Sequence, residues 1–79
     1  MDKEQLERKK FLEQQLERSR KQDHILEEIE MKLHEMKEIA QYALDYELTA
    51  KEVAGLNSQL NELKREVHFL EKQLHSVVH

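Results

Sequence analysis

Leu56, Leu60, Leu63, Val67, Leu70, Leu74 and Val77 follow one another at spacings of 4, 3, 4, 3, 4 and 3 residues, and Val53 extends the run backwards by one step. This is the 3.5-residue repeat of a helix that buries one narrow seam against another helix. The surrounding composition agrees. Charged residues make up 38% of the chain, Pro is absent and Gly55 is the only Gly. A chain so poor in helix breakers and rich in Glu, Lys, Leu and Gln reads as all-α, built from long helices. At 79 residues with 5% aromatics, it can form one small structural unit with a thin core. The repeat is common to coiled coils in general and points to no particular family.

Three segments differ in character. Residues 1–24 carry seven basic and six acidic side chains, with opposite charges three or four apart, as in Glu4–Arg8, Glu17–Arg20 and Glu17–Lys21. Such pairs support an exposed helix by ~0.2–0.5 kcal/mol each. Apolar support after Met1 is limited to Leu6, Phe11, Leu12 and Leu16, so this segment reads as a solvated helical arm. Residues 25–48 form an acidic amphipathic helix of net charge −5. Its Leu26, Ile29, Leu33, Met36, Ala40 and Ala43 keep the 3,4 spacing, while Ile25, Ile39 and Tyr46 flank that stripe on one side and Leu44 on the other. The apolar face is wider than one partner helix needs, as for a helix touching two neighbours. Residues 49–79 carry the zipper-like seam described above.

The two seams do not join in phase. Continuing the first places Glu47, Ala50, Ala54 and Asn57 on the stripe, whereas the second requires Val53 and Leu56. The slip of one residue turns the stripe by roughly 100°. It coincides with Thr49-Ala50-Lys51-Glu52, which has the form of a capping box, and Leu48 and Val53 are placed as its hydrophobic staple. A second candidate break is Gly55-Leu56-Asn57-Ser58, where Gly can close one helix and Asn or Ser start the next. A turn near Thr49 leaves a second helix from about Ala50 to Val78, long enough to cover the first back to about residue 20. The expected fold is therefore an antiparallel helical hairpin with an overhanging arm, two copies of which dimerise into a four-helix bundle. The runner-up is a long parallel coiled-coil dimer. Exposed charges do not decide the orientation of pairing. A parallel pair sets Glu66 beside Glu71 and an antiparallel pair can bring Lys64 near Glu71, but neither effect exceeds ~1 kcal/mol.

No residue constellation points to catalysis. The carboxylates Glu27, Glu28, Glu30, Glu35 and Glu38 lack the pocket that acid–base chemistry requires, and read as a solvated face. Of the five His, only His75 and His79 have a ligand-like spacing, and neither Cys nor the Glu of a metalloprotease motif accompanies them. A ferritin-like centre needs Glu three residues before each His; Met31 and Lys72 occupy those positions before His34 and His75. No metal, cofactor or catalytic residue is expected. The absence of Cys excludes disulfides and thiolate chemistry within this sequence.

Net charge is −4, and the basic cluster Arg8, Lys9, Lys10, Arg18, Arg20 and Lys21 is interleaved with acids and separated from the zipper by the acidic helix. Basic-region zipper proteins place an uncompensated basic helix directly before the zipper, so a nucleic-acid-associated dimer is the alternative rather than the leading expectation. No run of ~18 apolar residues can cross a membrane. The polar face of 25–48 is acidic, which argues against a membrane-surface helix. The start, Met1-Asp2-Lys3-Glu4-Gln5, leads into no apolar signal segment, and a cytoplasmic protein is expected. The expected function is a non-enzymatic scaffold or regulator acting by homodimerisation and by docking of helices onto another protein. The expected oligomer seam is Leu26, Ile29, Leu33, Met36, Ala40 and Ala43 together with Val53, Leu56, Leu60, Leu63, Val67, Leu70, Leu74 and Val77. The candidate partner patch is Ile39, Tyr42 and Tyr46 with Phe11 and Leu12.

Overall fold

The computed structural model describes residues 2–78. Two helices account for nearly all of them: α1, Lys3–Asp45, and α2, Ala50–Val78. The chain folds back on itself instead of continuing as one rod, within an envelope of 70 × 18 × 12 Å.

Local chemistry fixes both helix starts. Asp2 adopts extended backbone and its carboxylate accepts a hydrogen bond from the Gln5 amide at 2.8 Å, satisfying one orphan donor of the first turn of α1. Thr49 and Glu52 form the expected capping box. The Glu52 amide donates to Thr49 Oγ1 at 3.1 Å, while the Thr49 amide and hydroxyl donate to Glu52 Oε1 at 3.3 and 3.0 Å. α1 ends without a left-handed residue: Tyr46 turns to φ −127° and ψ 146°, its amide still donating to the Tyr42 carbonyl at 3.2 Å. The second candidate break is not used. Helix α2 runs straight through Gly55, whose φ is not positive, because the box at Thr49 already supplies the start that the phase slip demands.

The fold-back pairs the helices antiparallel over most of α2. Lys32 meets Glu66, Ile39 and Tyr42 share grooves with Gln59 and Leu56, and Arg18 and Lys21 lie beside Ser76 and Val77. Beyond that point α1 has no cover, and every residue from Asp2 to Lys21 is exposed. The core is thin. Among the described residues Val67 and Leu70, 7% and 5% exposed, are the buried ones, and the rest of the α2 seam from Leu56 to Val77 is half-buried. No residue of α1 is fully buried.

α1 presents its inner face through a stripe one residue away from the one read from the sequence. Ile25, Ile29, Lys32, Met36 and Ile39 are half-buried, whereas Leu26, Leu33, Ala40 and Ala43 are exposed. The cause is an overlap of two 3,4 patterns that share Ile29 and Met36. The isoleucines that flank the expected stripe turn inward, and Lys32 comes with them because its ammonium reaches Glu66.

Candidate functional site

Uncovered apolar side chains are spread over both helices, and two surfaces group several of them. The first is a ridge on α1. Leu26, Leu33 and Ala40 recur every seven residues, and the same step backwards reaches Ser19 and Leu12. All five are exposed; Leu12, Leu26 and Leu33 are 57%, 42% and 49% accessible. The row runs from the arm into the hairpin body beside the stripe that α2 covers, with the polar Ser19 between Leu12 and Leu26.

The second surface is the groove between the helices near the connector. Ile39 and Tyr42 of α1 and Gly55 and Leu56 of α2 form its apolar floor, and Glu35, Glu38 and Glu52 its acidic rim. A Cβ at Gly55 would meet nothing within 4 Å, so this end of the groove has room for a methyl group. The Tyr42 and Tyr46 rings stack at 4.6 Å with a 33° tilt, extending the apolar patch onto the connector. Phe11 and Leu12 do not join it. They lie on the arm, about 45 Å from Tyr42 along α1 at ~1.5 Å per residue, so one chain divides the candidate partner patch into two separate places.

Further along the same side, Lys32 Nζ and Glu66 Oε2 are 2.8 Å apart and tie the helices together. This pair escaped the sequence reading, although Lys32 sits three after Ile29 and four before Met36, in the rhythm of the inward stripe. Its hydrogen bond to Glu66 raises the Lys32 pKa above the ordinary lysine value; partial burial opposes this, and the charges of Glu66, Glu35 and Glu28 add to it. Other ion pairs lie within single helices: Lys9–Glu13 at 4.0 Å, His24–Glu28 at 3.2 Å, His34–Glu38 at 2.9 Å and His68–Glu71 at 3.5 Å, the last three being ionic only when the imidazole is protonated.

Among the described residues, no three His, Cys, Asp or Glu side chains are grouped to hold a metal ion. His79, the second member of the candidate His75–His79 pair, lies outside those residues. No described helix is long and apolar enough to cross a membrane. What the surface offers chemically is apolar area at heptad spacing and acidic rims around apolar floors. Comparison with known proteins gives no match to a family model, a curated protein or a solved structure.

Proposed function

We propose that this protein is a non-enzymatic interaction module, a small scaffold or regulator that self-associates through its hairpin and receives or extends helices toward another protein. The observation that carries this reading is the second ridge of α1. One apolar stripe is covered by α2, and a second, Leu26, Leu33 and Ala40, faces solvent one residue away. A helix with two apolar stripes is patterned for two neighbours, and one chain supplies only one. A second copy covers the free ridge most simply, which gives a four-helix assembly. The acidic groove at Ile39 and Tyr42 then remains for a partner protein's helix.

Light-scattering mass tests the reading. A dimer should show twice the 9.6 kDa chain mass, and Leu26→Glu with Leu33→Glu should return the monomer with helical content intact, because both side chains are exposed within one chain. A wild-type protein that stays monomeric at concentrations of order 100 μM would remove self-association from the proposal.

A further inference from the structure

The geometry points to one pairing for the free ridge: α1 of a second copy, running antiparallel, with Leu12 opposite Leu33 and Ser19 opposite Leu26. This rests on the self-association proposed above and adds its partner helix, orientation and register.

The helix is chosen by apolar pattern. α2 has its heptad stripe turned onto α1, the positions following that stripe are Asn57, Lys64 and Glu71, and its exposed Phe69 and Val78 stand nine residues apart. It offers no second row of seven-residue period. α1 carries a free ridge of the same seven-residue period along both arm and body, which is the repeat two helices need to stay in contact over several turns.

Orientation and register follow from charge. Residues 3–21, all exposed, hold seven basic and four acidic side chains, a net of +3. Residues 24–42 hold five acidic and two basic ones, a net of −3. Parallel pairing sets each segment against its own kind. Antiparallel pairing about a two-fold axis between residues 22 and 23 lays the arm of each copy over residues 24–42 of the other, +3 against −3, twice. The ridges then meet as Leu12 with Leu33 and Ser19 with Leu26, each pair occurring twice by symmetry. Moving the register by one heptad, to put Leu26 against Leu26, leaves residues 22–30, net −4, facing themselves. The same pairing gives the arm its cover. The part of α1 that α2 is too short to reach lies on the second copy's hairpin, on the flank beside the α2 contact.

The chain has no Cys, so single cysteines report without background. Leu12→Cys and Leu33→Cys are made as separate full-length proteins, each at an exposed position, and treated with a short bismaleimide alone and as an equimolar mixture. The expected result is a dimer mass for all samples, crosslinked dimer as the main product of the mixture, and at least fivefold less from either protein alone. Each chain carries a single cysteine, so the product reports contact between copies. Efficient crosslinking of Leu33→Cys with itself means parallel pairing or an antiparallel register centred on residue 33, and either overturns the inference. So does preferential crosslinking of Leu12→Cys with Ala40→Cys, which marks the register one heptad away. A dimer mass with no crosslink above the single-protein level overturns it too, while leaving self-association standing. A monomer mass overturns both.

Discussion

Gly55→Ala separates the two ways in which this sequence could have been cut into helices. In the structure Gly55 is the sixth residue of α2, its φ is not positive, and an added Cβ meets nothing within 4 Å. Glycine inside a helix costs ~0.8–1.0 kcal/mol relative to alanine, chiefly because the unfolded chain loses more freedom when it orders. With no steric term to offset that gain, the substitution should stabilise the hairpin by about 0.5–1 kcal/mol. For a domain of this size ~1 kcal/mol moves the thermal midpoint by ~4–8 °C, so a rise of roughly 2–8 °C is expected. Thermal and urea melts followed at 222 nm measure it. They must be run at one protein concentration, since association would shift both midpoints by mass action. A loss of more than ~0.5 kcal/mol would refute the reasoning. That result is what alanine gives at a left-handed C-terminal glycine, and it would move the break from Thr49 to the Gly55-Leu56-Asn57-Ser58 candidate.

Other substitutions test other parts of the argument. Leu70→Ala removes one of the two buried side chains and should cost about 2–4 kcal/mol in urea melts; a cost under ~1 kcal/mol would deny the α2 seam its role as the core. Thr49→Ala deletes both hydroxyl contacts of the capping box and should cost about 1 kcal/mol, with no loss meaning that the connector is held by something else. The pH dependence follows from Lys32. Its pKa is raised in the folded state, so its contribution is fully present below the unfolded value near 10.5 and is lost as pH rises through the higher folded value. Lys32→Met should therefore flatten the fall in stability above about pH 10.5, and identical alkaline slopes for the two proteins would contradict the assignment.

Much of this fold could be read from residue spacing. The α2 seam is a regular 3,4 series, and the phase slip located the turn because a helix cannot rotate its stripe by ~100° without interruption. Thr49 and Glu52 then supplied a specific start at the same place. The inward face of α1 was harder to read. Ile25 and Leu26, Lys32 and Leu33, and Ile39 and Ala40 are adjacent pairs, and either member can occupy the seam with Ile29 and Met36. Apolar counting favours Leu33 over Lys32. The Lys32–Glu66 bond reverses that choice, but Glu66 lies 34 residues away, and no local pattern announces the meeting. The candidate partner patch was divided for a related reason. Phe11 and Tyr42 have similar character, but only the length of α2 decides which part of α1 it covers.

The two helices differ in how many neighbours their patterns can hold. Helix α2 turns its heptad stripe onto α1 and contributes Val67 and Leu70, the two buried side chains among the described residues. Helix α1 has no buried residue in the single chain although 25–48 carries more apolar positions than one stripe can use. A hairpin with so little burial lies at the low end of the size at which one core can sustain a fold, and part of the apolar area it still exposes, at Leu12, Leu26 and Leu33, recurs at multiples of seven residues along one side of α1. Scattered apolar residues are ordinary on protein surfaces, while a periodic ridge costs solubility unless something covers it. Its continuation onto a basic arm, whose charge is equal and opposite to that of residues 24–42, makes a helix of the same chain a complementary cover. On this argument self-association and the covering of the arm are one event, since the arm that α2 leaves bare is the segment that a second hairpin would hold.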